Sequence, residues 1–408
     1  LAYTSPALGH FLPISALLSE LACRGHTIHL RTLSSAVETG RQLGFVADPI
    51  DSRIEQIELD DWTAPNPIAA LKKTAAVFSR RAVIEASDLA EAMARTRPDA
   101  LLVDVNCWGA QSVADAGSVP WACFSPYTPL LRSPGVPPFG LGLRPMPGAV
   151  GRLRDAAVRS AVVGRLESIS LSPINAIRAD VGAMPVTSLD QFLRRSPLML
   201  VASGKPFQYR QTEWGATVEM IGPCALDPAP AAPPDWLASI DRPIILVTTS
   251  SEKQADANLV QVAMTALADE PVHVVATMPA EATDAIAPTP NATVRRFVPH
   301  AALLDHAVCA ITHGGMGATQ KALARGVPVC VVPYGRDQLE VARRVEVAGC
   351  GTRLPASKLS PARLRSKVRE AMALDAGAKR VAAGFESTGG TSRGADLFEQ
   401  RVLGLIKD

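Results

Sequence analysis

The stretch Cys309-Ala310-Ile311-Thr312-His313-Gly314-Gly315-Met316-Gly317-Ala318-Thr319 runs from apolar and β-branched residues straight into a His-Gly-Gly triplet. That order predicts a strand ending at the glycines and a helix continuing through Ala318 to Arg325. Glycines at such a place let a phosphate group approach backbone N–H groups, and the positive end of the helix dipole favours the phosphate's charge. His313 adds a side-chain donor beside them. One strand later, Tyr334-Gly335-Arg336-Asp337-Gln338 sets a carboxylate and a carboxamide at a strand's carboxyl end, where ligands of open α/β sheets bind. Neither segment matches the dinucleotide fingerprint G-x-G-x-x-G or the phosphate loop G-x-x-x-x-G-K-[ST], which argues against a nicotinamide enzyme and an ordinary ATPase.

The elements that must hold these residues recur along the chain. In the first half, strands are expected at Leu1 to Ser5, Thr27 to Arg31, Ala100 to Val103 and Val119 to Phe124. Helices are expected over Leu12 to Arg24, stopped by Gly25, and over Gln111 to Ala116. Apolar strands separated by helices imply a parallel sheet covered on both faces. Val218 to Ile221 reads as the last strand of this unit, and the Pro- and Ala-rich 222–236 as a linker in which prolines forbid helix or sheet continuity. A second series follows, with strands at Pro243 to Thr248, Val272 to Ala276, Thr293 to Phe297, Cys309 to Thr312 and Val327 to Val332. The expectation is an α/β protein of two Rossmann-like halves. Between Ser125 and Gly151 lies a long Pro- and Gly-rich stretch carrying Tyr127, Phe139, Leu141 and Leu143, read as a wall for an apolar ligand.

Composition agrees. The 408 residues suffice for two domains with substantial cores. A formal charge of +2 gives no support to nucleic-acid binding, and no apolar run approaches the roughly 20 residues of a membrane span. The seven cysteines stand singly, without zinc spacing, and are expected to be buried thiols of a cytoplasmic protein. The chain opens in mid-strand at Leu1-Ala2-Tyr3-Thr4, so a few residues are expected to precede it. A monomer or homodimer is expected.

The run HGGMGATQKALARGVPVCVVPYGRDQLEVARRVEVAGCG (313–351) resembles the donor-binding signature of the family 1 nucleotide-sugar glycosyltransferases, and Gly9-His10-Phe11-Leu12-Pro13 their N-terminal segment. The resemblance extends over essentially the whole chain and is closest to the bacterial macrolide and natural-product branch. It implies the glycosyltransferase-B (GT-B) fold and transfer of a sugar from a UDP- or dTDP-sugar, with inversion and without metal or other cofactor. By the resemblance, His313, Gly314, Gly315 and Gly317 hold the diphosphate, and Asp337 and Gln338 read the hexose hydroxyls. Phe297, Val298 and His300 lie in the nucleobase and ribose region. Thr249, Ser250 and Ser251 match the loop over the phosphates, although the glycine usual there is absent. The implied organisation is an acceptor domain at 1–222, a linker at 223–240 and a donor domain at 241–390. A last helix at 391–408 would pack back on the first domain through Leu397, Phe398, Val402 and Leu405.

Sugar transfer needs an acceptor oxygen relieved of its proton, an exposed anomeric carbon and a stabilised leaving diphosphate. His10, after the first strand, has an imidazole that titrates near neutrality and suits the first task. Asp104, directly after Ala100 to Val103, is its candidate orienting carboxylate, whereas Asp99 enters that strand at the wrong end. A structural hydrogen bond from His10 and a helix cap near Trp108 from Asp104 remain the alternatives. His26, His29, His273, His300 and His306 show no H-E-x-x-H spacing, so no metal is expected. The function expected is glycosyl transfer to a hydrophobic acceptor. The alternatives are a nucleotide-sugar 2-epimerase of the same fold and a non-catalytic nucleotide-sugar-binding subunit.

Overall fold

The computed structural model describes residues 1–65, 67–226, 234–252, 254, 256–280 and 289–405. Among them, strands β1 (Ala2–Tyr3), β2 (His29–Thr32), β3 (Val46–Pro49), β4 (Leu101–Asp104), β5 (Trp121–Ser125), β6 (Met199–Val201) and β7 (Val218–Met220) form one sheet in the order β3-β2-β1-β4-β5-β6-β7. A second sheet holds β8 (Ile244–Thr248), β9 (His273–Thr277), β10 (Ala292–Arg295), β11 (Ala307–Thr312), β12 (Val329–Val331) and β13 (Gly351–Arg353), in the order β10-β9-β8-β11-β12-β13. Every neighbouring pair is parallel. Strands β4 and β8 are buried along their whole length, as Leu101-Leu102-Val103-Asp104 and Ile244-Ile245-Leu246-Val247-Thr248. Continuous apolar strands of that kind need helices on both faces, and both sheets have a core cluster on each side. This is the GT-B arrangement of two Rossmann-like sheets.

Helix–strand alternation was legible; several elements were not. The 30-residue helix Pro67–Thr96, strands β3, β6 and β13, and the helical stretch from Gly148 to Asp180, with a π-helical segment at Arg159–Val163, add to the expected set. The first helix spans Leu8–Cys23 and so begins before Leu12, which puts His10 in its first turn. Strand β10 stops at Arg295, leaving Phe297 outside it. In the linker, 227–233 lie outside the described residues, as do 406–408 at the chain's end.

The last helix is Gly390–Arg401, and it lies on the first sheet's helical layer. Ala395, Phe398 and Val402 join the cluster that includes Phe11, Leu17 and Ile221, and Leu397 packs against it. A Cβ at Gly394 would stand 2.9 Å from Ile221 Cδ1, so a larger residue there would push that methyl aside. Arg24 anchors the helix through Asp396 and Glu399 at 2.7 and 2.8 Å. Leu405 takes no comparable part and is half exposed, since it follows the helix's end.

Polar contacts cross between the halves. Glu340 of helix Gln338–Ala348 accepts the Gly140 and Gly142 N–H groups at 2.8 Å each and pairs with Arg344, also at 2.8 Å. Arg344 donates to Gln208, which donates in turn to Thr128 and Ser203. Arg336 pairs with Asp61 at 2.7 Å.

Candidate active site

In each sheet the strand order reverses at one place, between β1 and β4 in the first and between β8 and β11 in the second. Connections leave such a pair toward opposite faces, so a crevice opens at the strands' carboxyl ends. His10 follows β1, and Asp104 is the last residue of β4. Thr249 to Ser251 follow β8, and His313 to Gly315 follow β11, with Thr312 in register with Thr248. Residues separated by about 90 positions in one half and 60 in the other are thus gathered by topology alone.

In the first half, His10 Nδ1 stands 2.7 Å from Asp104 Oδ2. The Asp104 side chain is fully buried, and its other oxygen accepts the Asn106 N–H at 2.8 Å. That turn, rather than a cap on helix Trp108–Ala116, is what Asp104 serves; the helix's own N-cap, Cys107, makes no side-chain bond. On the far side of the ring, His10 Nε2 lies 3.2 Å from Asn106 Nδ2, and Asn106 Oδ1 accepts the Tyr127 hydroxyl at 2.6 Å. Burial pulls the His10 imidazole down, but the charge and hydrogen bond of Asp104, with Asp337 and Glu252 beyond, outweigh it and raise the imidazole above its ordinary value.

In the second half, helix Met316–Ala324 begins one residue after Gly315 and includes Gly317. Gly314 has φ +96°, and a Cβ there would stand 2.9 Å from Gln338 Cβ and 3.0 Å from Val331 Cγ1. A Cβ on Gly315 would meet His313 Nε2 at 2.4 Å. The His313 ring therefore lies over the helix start, and only glycines leave it room. Burial lowers the His313 imidazole below its ordinary value, against the charge of Asp256 and a hydrogen bond to the Thr248 backbone, which favour the protonated form. Beside that ring, the first N–H groups of the helix have no intrahelical acceptor and can donate to an anion. Ser250 stands by: its N–H donates to Asp256 Oδ2 at 2.7 Å, and its hydroxyl accepts from Glu252 N and Gln254 Nε2 at 3.0 Å each. Ser251 is exposed.

Asp337 is the N-cap of helix Gln338–Ala348 but makes no capping bond with its side chain. Burial raises its carboxyl, against His10 and Arg336, which favour the charged form. Gln338 is buried and spends its amide within the protein. Its oxygen accepts Tyr334 N and Gly335 N at 2.7 and 3.1 Å, and its nitrogen donates to Gln254. Of the nucleobase candidates, Val298 is buried, Phe297 is 57% exposed, and His300 Nε2 meets Thr277 Oγ1 at 3.0 Å. The four acceptor-wall candidates part company. Tyr127 packs edge-on against His10, 5.8 Å between centroids. Phe139 lines a small cavity together with Leu130, Leu131 and Val163, Leu141 is exposed, and Leu143 is half-buried. Asn106, Glu252, Asp256, Arg336 and Asp61 escaped sequence reading; for Asn106 the available signal was its place two residues after Asp104 at a strand's carboxyl end. Among the described residues, no three His, Cys, Asp or Glu side chains are grouped to hold a metal ion, and no helix is long and apolar enough to cross a membrane.

Residues 261–389 match the family model described as erythromycin biosynthesis protein CIII-like, C-terminal domain. The chain is 29% identical over 383 residues to 4'-demethylrebeccamycin synthase of Lentzea aerocolonigenes, covering 90% of each. Among solved structures, the glycotransferase of kitacinnamycin superposes with a TM-score of 0.76 at 24% identity, covering 98% of both chains. The Streptomyces sp. SF2575 glycosyltransferase SsfS6, complexed with thymidine diphosphate, superposes with a TM-score of 0.70 at 17% identity, again covering 98% of both. The solved structures share the two-sheet fold over nearly its full length, and the relatives that cover most of the chain include that synthase and an NDP-glycosyltransferase of Bacillus subtilis (strain 168). The chain is a glycosyltransferase by these likenesses, similar over most of its length to enzymes of natural-product biosynthesis.

Proposed function

We propose that this enzyme transfers a hexose or deoxyhexose from a UDP- or dTDP-sugar to a hydroxyl of a hydrophobic natural-product acceptor, with inversion and without a metal ion. The observation that carries this reading is the His10–Asp104 pair at one switch point, close enough to Asp337 of the other half to feel its charge. His10 Nε2 takes the acceptor's hydroxyl proton as that oxygen bonds to the anomeric carbon. The bond from that carbon to the diphosphate breaks on the opposite side, which inverts the centre. The departing oxygens gain charge at the His313–Gly317 helix start, where amides and the dipole stabilise it without a cation. Asp104 holds the imidazole tautomer and favours the imidazolium formed. Asp337 and the turn braced by Gln338 meet the sugar.

The thymidine diphosphate held by SsfS6 supports a thymidine nucleotide as donor moiety. Tyr127, beside the base, supports an acceptor with an apolar body. A matrix of UDP- and dTDP-sugars against polyketide, macrolide and phenolic acceptors, read by mass spectrometry, tests the proposal. Glycosylated product with inverted configuration, formed equally in chelator, is the expected result. Nucleotide-sugar epimerised without acceptor, or a strict need for added divalent ion, overturns it.

A further inference from the structure

Asn106 is fixed at both ends of its residue. Its backbone N–H donates to Asp104 Oδ1 at 2.8 Å, and its side-chain oxygen accepts the Tyr127 hydroxyl at 2.6 Å. The remaining side-chain nitrogen faces His10 Nε2 at 3.2 Å. Donor and acceptor roles along this chain are determined by its far end. An ionised Asp104 only accepts, so His10 Nδ1 carries the hydrogen and neutral Nε2 offers a lone pair. The Asn106 amide must then present its NH₂ to the ring, and its oxygen is left for Tyr127. No other assignment of the neutral ring satisfies all the groups.

We propose that Asn106 is a positioning residue for His10, its carboxamide pinned by Tyr127 so that it holds Nε2 unprotonated until an acceptor hydroxyl takes its place. The inference rests on the reading of His10 as the base. The charged groups facing His10 are Asp104 of β4, Asp337 at the start of helix Gln338–Ala348 and Glu252 of the loop after β8; Tyr127 is the further titratable neighbour. All three carboxylates favour the imidazolium, which cannot act as a base. Asn106 opposes them, because protonating Nε2 would set two donors face to face. At 3.2 Å its bond is at the long end of the range for such contacts, so an O–H donor can displace it.

The test follows the His10 imidazole in the full-length protein by NMR of labelled histidine, with His10→Ala identifying its signals among seven imidazoles. The pH profile of kcat/KM is recorded alongside. Wild type should show the Nδ1-protonated tautomer. Asn106→Ala and Tyr127→Phe should each raise the proton affinity of His10, by roughly 3- to 10-fold for one lost hydrogen bond. The acid limb of kcat/KM should move up with it. Tyr127→Phe keeps the ring, so it carries the comparison if Asn106→Ala does not fold. An unchanged His10 midpoint and tautomer in a folded variant overturns the role of Asn106, even where the rate profile still follows His10. A midpoint that moves while the rate profile stays put leaves Asn106's hold intact and removes His10 as the base.

Discussion

The two switch points are built on opposite principles. At the first, Asp104, His10, Asn106 and Tyr127 form one hydrogen-bonded chain with bonds of 2.6 to 3.2 Å. At the second, the His313 ring lies against a helix start kept clear of side chains by Gly314, at φ +96°, and by Gly315, where a Cβ would strike the ring. A hydrogen-bonded chain positions a group before substrate arrives; a helix start cleared of side chains leaves its first N–H groups open to a ligand. The difference fits a division in which the first half supplies chemistry and the second supplies binding. Mutations should therefore act on rate in one half and on affinity in the other.

The largest effect is expected at His10. His10→Ala should lower kcat by about 10²–10⁴-fold with weakly acidic alcohols, while the donor dissociation constant stays near wild type. Steady-state kinetics with calorimetric donor titration reads both, and a comparable loss of donor affinity would erase the contrast between the halves. His313→Ala should do the reverse, weakening nucleoside diphosphate by roughly 10- to 100-fold for a lost bond to a charged group. Unchanged affinity would remove the diphosphate assignment. Asp337→Ala should weaken the sugar donor more than the bare diphosphate, and equal losses would contradict a role at the sugar. The smallest effect crosses between halves. Asp337 helps raise the His10 imidazole above its ordinary value of about 6.5, so activity should fall as pH drops through a midpoint above that value. Asp337→Asn removes a negative charge that favours the imidazolium, so the acid limb should shift to lower pH. A limb that stays in place would mean that the two halves do not act on each other there.

What sequence could show depended on range. The glycines at 314 and 315 announce themselves because their constraint is local: a strand end, a positive φ and a helix start within a few residues. The His10–Asp104 pair became legible because both follow strands, and parallel topology brings strand ends together. The partners of these residues were not legible. Asp61 meets Arg336 from 275 positions away, and Asn106 reaches His10 only through the geometry of one turn. Apolar character in Ser125–Gly151 named candidates for an acceptor wall, but residue type does not say which way a loop side chain turns. Tyr127 turned toward His10, Leu141 toward solvent. Gln338 marks a different limit: its sequence position is at the sugar turn, yet its amide braces Tyr334, Gly335 and Gln254.

The central claim is that His10, oriented by Asp104, removes the acceptor's proton as the sugar moves. Its most direct test is the rate of transfer to a series of phenols of graded acidity, compared among wild type, His10→Ala and Asp104→Asn. Wild type should depend weakly on phenol acidity, because the imidazole takes the proton. Both variants should depend steeply on it, with strongly acidic nitrophenols recovering much of the lost rate and His10→Ala the more impaired. Parallel dependence in all three proteins, or near-wild-type turnover of a weakly acidic alcohol by His10→Ala, would contradict the account.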